Sequence, residues 1–204
     1  MYKHTFDKTI LRSYDIRGIY GKTLSDEDAF MLGFFFGITV KEKNPEKKHP
    51  LIVVGMDGRL SSPLLEEKLT EGLENSGCEI YRIGLGPTPM LYFASNYYKA
   101  DGAIQVTGSH NPKDYNGFKI VLNQNSFFGE DIIKLGHFAS KGYSKTYDGF
   151  SKSVEINSKY VDEIIKPLKY LDNQLHEKTI VWDCGNGATG DMIKKIVKLY
   201  QFHH

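Results

Sequence analysis

The residues best suited to chemistry lie together at Thr107-Gly108-Ser109-His110-Asn111-Pro112, where a serine stands among small and polar neighbours. Gly, Ser, Asn and Pro in succession predict a tight loop, and such a loop can present the Ser109 hydroxyl to a substrate as a nucleophile. The same residues suit an ordinary turn in which Ser109 and Asn111 bond nearby backbone, and turn chemistry alone favours that plainer reading. Serine hydrolysis would need a base and an orienting acid. There is no G-x-S-x-G elbow, and His110, adjacent in sequence, is poorly placed to take the serine proton. A second candidate is Gly185-Asn186-Gly187-Ala188-Thr189-Gly190, which satisfies G-x-G-x-x-G and would imply a nucleotide-binding module. A dinucleotide site also wants an acidic residue about 20 positions further on. The sequence reaches His204 before that point, so the fingerprint is not completed in it, and the nucleotide-binding reading stays open on these residues alone.

The elements that must position these loops follow an alternating pattern from Leu51 to Leu122, with short β-type runs between capped helical segments. Leu51 to Gly55 reads as a buried strand. Ser62-Pro63 then opens a helix whose Leu65, Leu69 and Leu73 recur every fourth residue, ending at Gly77. Cys78 to Ile83 is the next strand, Thr88-Pro89 opens a helix through about Tyr98, and Ala103 to Val106 is a third strand. Thr107 to Gly117 is predicted as loop, with strand resuming at Phe118 to Leu122. Upstream, Ala29 to Val40 is a 12-residue apolar run behind Ser25-Asp26-Glu27-Asp28 and reads as a buried helix capped by Ser25.

Between Gly129 and Ser158 the periodicity weakens, and the end of a first domain is expected there, dividing the chain into 1–150 and 151–204. Ser158 to Leu171 has helical spacing; Thr179 to Asp183 reads as a strand leading to the glycine turn and a terminal helix. The fold class expected is α/β, a mostly parallel or mixed sheet with helices on both faces, plus the first strand and helix of a truncated second α/β domain. Met192, Ile193, Ile196 and Val197 of that last helix are expected to lack full cover.

Composition narrows the function. The chain has 204 residues, 26 Lys and Arg against 25 Asp and Glu, and no basic stripe, which argues against a nucleic-acid partner. The apolar run is shorter than the ~20 residues a membrane span needs, and Met1 to Asp7 has no apolar signal core. The two cysteines, Cys78 and Cys184, form no redox or metal pair, so both are predicted to be small buried groups in a reducing, cytoplasmic setting.

Thr107 to Pro112, followed by Asp114-Tyr115-Asn116-Gly117-Phe118-Lys119-Ile120, resembles the phosphoserine loop of the α-D-phosphohexomutases, in the phosphomannomutase/phosphoglucomutase branch. Arg12-Ser13-Tyr14-Asp15-Ile16-Arg17-Gly18 resembles that family's N-terminal signature. Val54-Gly55-Met56-Asp57-Gly58-Arg59 is similar to its first strand and turn, and Gly86-Pro87-Thr88-Pro89 is a further match in order. Val181 to Gly187 looks like the opening of the family's second domain.

The resemblance implies interconversion of hexose 1-phosphate and 6-phosphate, of mannose or glucose, through a phosphoserine and a hexose 1,6-bisphosphate. Ser109 matches the phosphoserine, with glucose 1,6-bisphosphate as activator and Mg²⁺ as the ion that offsets phosphate charge. His110 and Asn111 flank the donor; Lys119 matches a lysine that could steady phosphate or handle a proton. Tyr14 and Arg17 resemble residues that approach the cleft to bind phosphate, while Arg17 could instead pair with a carboxylate and hold the fold. Asp57 and Arg59 suit a structural turn. The family's Asp- and Gly-rich metal loop has no match in this sequence, so a metal would be held through the Ser109 phosphate only. The chain alone is expected to be inactive, acting with a continuation or a separately encoded C-terminal part. A non-catalytic remnant or binding domain is the alternative.

Overall fold

In the computed structural model, which describes residues 1–170 and 179–200, a mixed sheet of 7 strands carries helices on both faces. The strands are β1 (Ile16–Ile19), β2 (Leu51–Met56), β3 (Glu79–Leu85), β4 (Gly102–Val106), β5 (Tyr115–Leu122), β6 (Asn125–Phe127) and β7 (Phe150–Ser153). Their order is β1-β5-β4-β2-β3-β7, with β6 also on β5. The centre, β4-β2-β3-β7, is parallel, whereas β5 runs antiparallel to β4, β1 and β6. The helices are α1 (Asp26–Lys43), α2 (Ser62–Asn75), α3 (Thr88–Tyr97), α4 (Glu130–Lys141), α5 (Asn157–Ile164) and α6 (Gly190–Tyr200). No helix among the described residues is long and apolar enough to cross a membrane.

Successive strand residues point to opposite faces, so each strand feeds two cores. Ile52 and Val54 of β2, with Ile104 and Val106 of β4, pack under α1, α2 and α4. Val53 and Ala103 pack instead with Met90, Leu91 and Ala94 of α3, Val161 of α5, and Met192 and Ile196 of α6. The apolar face of α6 is thus covered at Met192 and Ile196, against expectation, whereas Ile193 and Val197 are only half-buried and lack full cover as expected.

Helix α1 starts as anticipated at Ser25, whose hydroxyl accepts from the Asp28 N–H while the Asp28 carboxylate accepts from the Ser25 backbone. Both orphan donors of the first turn are satisfied reciprocally. α1 lies close against α2 because two glycines meet the opposing backbone. A Cβ on Gly33 would come 2.1 Å from the Leu69 carbonyl, and one on Gly72 would come 2.0 Å from that of Phe30. Leu65, Leu69 and Leu73 are fully buried beneath this contact.

The structure departs from the sequence-based expectation in several places. β5 begins at Tyr115, not Phe118, because Asn116 and Gly117 pair with Gly18 and Arg17 of β1. Helix α4 and strand β7 fall in the stretch where periodicity fades, and β7 joins β3, carrying the sheet to Ser153. The helix expected over Ser158 to Leu171 ends at Ile164 and passes into a 3₁₀ turn over Lys166–Tyr170; Pro167 has no N–H to continue an α-helical ladder. Leu171 lies outside the described residues. Thr179 to Asp183 forms no strand, only an isolated bridge at Thr179. A strand needs a ladder, and Val181 is left 90% exposed.

Candidate active site

The Ser109 loop leaves the C-terminal end of β4, turns, and returns as β5, so the sheet holds both of its ends. Its shape is set from the β2 end by Asp57, whose two oxygens gather the surrounding donors. Oδ2 accepts from the Thr107 hydroxyl at 2.9 Å, the Gly108 N–H at 3.1 Å and Arg59 Nε at 3.2 Å. Oδ1 accepts from the Ser62 hydroxyl at 2.6 Å and the Arg59 N–H at 3.1 Å. Thr107 Oγ1 in turn accepts the Ser109 N–H at 2.9 Å. Asn116, fully buried, donates to the Ser61 and Ser62 hydroxyls at 2.8 and 2.9 Å, which ties the far end of the loop to the start of α2.

Arg59 completes the arrangement. Its Nη1 donates to the carbonyls of Pro112 and Tyr115 at 2.6 and 3.0 Å, and its Nη2 to those of Ser109 and Asn111 at 3.1 and 2.7 Å. The guanidinium lies directly on Gly108, where a Cβ would come 2.2 Å from Nε. Within this frame Ser109 has φ +53°, a left-handed conformation that costs a residue with a side chain. A non-glycine residue is held there only because its surroundings over-determine the backbone.

The loop forms one wall of an open cleft of about 1140 Å³. Ser109, His110, Asn111 and Lys119 all line it, together with Lys113, Asp114 and Thr88, and opposite them Asn186, Gly187 and Ala188 of the second glycine turn. That turn opens with Gly185 at φ +51°, its N–H bonded to Asp183 Oδ1 at 2.8 Å. The structure thus brings together four of the six residues singled out for this site. Tyr14, 81% exposed, stands beside a smaller hollow of about 240 Å³ that it shares with Lys119, Tyr92 and Phe128. Lys119 and Tyr92 line both spaces, so the two are adjacent. Arg17 lines neither. Its guanidinium is buried in an ion pair with Asp15, and the same Asp15 oxygen lies 3.7 Å from the Lys119 ammonium.

Asp57 and Arg59 carry more of the site than their sequence suggested. The residues they bond lie about fifty positions away and are largely backbone groups, which leave no trace in side-chain pattern. Among the described residues no group of three or more His, Cys, Asp and Glu side chains could hold a metal ion. An octahedral Mg²⁺ takes one or two carboxylates besides phosphate and water. Asp57 has both oxygens engaged, so these residues do not by themselves form a metal site. Cys184 is half-buried rather than buried; Cys78 is fully enclosed, and that burial pushes its thiol up to about 11.

A mixed sheet that carries a left-handed serine just past the end of a central strand, at the wall of an open cleft, defines an α/β domain with a presented hydroxyl. Residues 8–135 match the family model described as phosphoglucomutase/phosphomannomutase, alpha/beta/alpha domain I. The phosphomannomutase/phosphoglucomutase of Pseudomonas putida is 39% identical over 190 residues, which is 93% of this chain and 39% of that protein. The phosphoglucomutase of Neisseria gonorrhoeae is 38% identical over 193 residues, 94% of this chain and 40% of its own. A crystal structure of a phosphoglucomutase/phosphomannomutase family protein from Burkholderia thailandensis superposes with a TM-score of 0.81 at 31% identity, over 98% of this chain and 43% of that one. The chain belongs to the phosphoglucomutase/phosphomannomutase family. It spans about two fifths of the length of the curated relatives it matches.

Proposed function

We propose that this chain supplies the phosphoryl-donor side of a phosphohexomutase that interconverts the 1-phosphate and 6-phosphate of mannose or glucose. The observation that carries this is Ser109, held at φ +53° by a loop whose backbone is bonded on both sides, at the wall of a cleft shared with Lys119. Phosphoryl transfer needs little covalent chemistry from the protein beyond positioning and charge stabilisation, and such a loop provides the first.

In this reading glucose 1,6-bisphosphate loads the site. The bond from phosphorus to the sugar oxygen breaks as the bond to Ser109 Oγ forms, and the serine proton passes to the departing sugar oxygen. Lys119 steadies the transferring group or carries that proton; His110 and Asn111 border the donor, Tyr14 shares a hollow with Lys119, and Arg17 reaches Lys119 only through Asp15. Mg²⁺ would act beside the Ser109 phosphate, with carboxylate ligands drawn from residues other than the described ones. The donor domain is proposed to take in β7 and so to run to Ser153, three residues past the division expected at 150, with a second domain beginning beyond it. The chain alone is proposed not to turn over hexose phosphates, because its described residues include no carboxylate set for the ion. A continuation of the chain or a separately made C-terminal part would supply that set.

The test is incubation of the chain with glucose 1-phosphate or mannose 1-phosphate, Mg²⁺ and glucose 1,6-bisphosphate, following both sugar products and the intact protein mass. The expected result is one phosphoryl group on Ser109, absent from Ser109→Ala, with no sugar turnover. Failure of Ser109 to accept phosphate would remove the donor role. Robust Ser109-dependent turnover would overturn the claim that the chain is insufficient.

A further inference from the structure

We infer that Arg59 is the positioning residue of the donor loop and not a ligand for phosphate, although it lines the same cleft as Ser109. An arginine beside a phosphate site is ordinarily read as a phosphate clamp, because its planar fork suits paired oxygens. Here the fork is already full. A guanidinium has five N–H donors. In Arg59 Nε is bonded to Asp57, Nη1 to two carbonyls, and Nη2 to two more. No donor is left for a ligand unless the loop lets go.

The acceptors explain what this accomplishes. The carbonyls of Ser109, Asn111, Pro112 and Tyr115 converge on one cation, which requires the chain to double back on itself between β4 and β5. Four carbonyl dipoles aimed at a common point repel one another without a positive charge at that point. Asp57 fixes the guanidinium from behind and holds the Thr107 hydroxyl and Gly108 N–H, so the pair grips the loop on both sides of the serine. Gly108 has to be glycine for the guanidinium to reach these carbonyls. The left-handed Ser109 backbone is thereby built before any phosphate or metal arrives, and its strain is met by bonds at its neighbours. The sugar phosphate finds a formed loop rather than having to order one.

This rests on the donor role of Ser109 but is tested separately from it. Hydrogen exchange of the full chain, resolved over residues 105–117, is compared for the parent, Arg59→Lys and Arg59→Ala. The expected result is loss of protection at the Gly108, Ser109 and Asn111 amides by roughly 10-fold or more, with β2 and β4 unchanged. Added guanidinium ion restores protection in Arg59→Ala, whereas the ammonium of Arg59→Lys, a point charge, does not. Gly108→Ala, which displaces the guanidinium by a different route, gives the same local pattern. Unchanged loop protection would overturn the inference, as would uniform loss through the whole sheet, failure of guanidinium to restore, or failure of both Arg59→Ala and Gly108→Ala to fold.

A second readout is the rate at which Ser109 gains phosphate from glucose 1,6-bisphosphate. It falls about 100-fold at saturating donor while the half-saturating concentration stays put, as misplacement of a reacting group does. A rise in the half-saturating concentration at unchanged maximal rate would make Arg59 a phosphate ligand. The exchange measurement needs no phosphoryl transfer, so it decides the role of Arg59 even where Ser109 accepts none.

Discussion

Lys119 of β5 stands directly opposite Gln105 of β4 across their antiparallel ladder, and both side chains line the cleft that holds Ser109. Two residues along β4 from Gln105, the chain leaves the sheet as Thr107. The spacing between the lysine and the serine loop is therefore governed by main-chain pairing, which is stiffer than side-chain packing. On the other side of Lys119, Asp15 approaches its ammonium and at the same time pairs with Arg17.

Lys119→Met is expected to slow phosphate uptake by Ser109 at least ~100-fold, the range for removal of a group that handles a proton or charge in the transition state. Asp15 keeps Arg17 as its partner, and Lys119 is itself half-exposed, so stability should change by less than ~0.5 kcal/mol. Intact-mass kinetics and urea unfolding check the two halves. A large loss of stability would mean that Lys119 serves the fold.

Gly72→Ala is expected to destabilise the protein by about 1–3 kcal/mol, because its Cβ would meet the Phe30 carbonyl, which belongs to helix backbone and cannot swing aside. The urea midpoint measures this. An exposed helical alanine normally stabilises relative to glycine, so the sign of the change is diagnostic.

Acid sensitivity should be traceable to Asp28. Burial pushes its carboxyl up, but the hydrogen bonds from His4 and Ser25 outweigh that and hold it below the usual 3.8. A carboxyl lowered in the folded state adds stability that is present above its unfolded value and lost as pH falls through the folded one. Asp28→Asn should therefore be less stable than the parent at neutral pH, with the gap closing below pH 3.8. Parallel urea titrations at neutral and acid pH would show the two curves converging. Ser25→Ala should cost ~1 kcal/mol as loss of the cap.

Thiol labelling should distinguish the cysteines. With its thiol raised to about 11 by burial and its side chain fully enclosed, Cys78 is expected to resist a maleimide until the protein unfolds. Cys184, half-exposed beside the cleft turn, should react in the native state. One fast and one slow equivalent is the expected stoichiometry.

How much of this was legible in the sequence depends on the kind of signal. Leu65, Leu69 and Leu73, the Ser25 cap and the apolar run at Leu51 to Val54 each announce their structure through local pattern, and those elements form as read. Asn116 and Gly117 look like loop residues, yet they lie in β5 because β1 pairs with them and the Ser61 and Ser62 hydroxyls accept from the Asn116 amide. Helix α4 carried a usable signal in Ile132, Leu135 and Ala139, all buried at helical spacing, which the surrounding polar residues masked. The Ser109 loop was recognisable as a string of residues. What holds it was not, since the partners of Arg59 are carbonyls brought near only by the pairing of β2 with β4.

That dependence has a consequence for the order of events in folding. Asp57 and Arg59 meet the loop across about fifty residues of intervening chain, so closure entropy must be overcome by sheet formation before their bonds can form. A nascent chain whose β2 and β4 have not yet paired has a serine at position 109 but nothing to present it. On the proposed donor role, phosphate on that serine would therefore report completed assembly as well as chemistry, and an incompletely folded molecule would not acquire it.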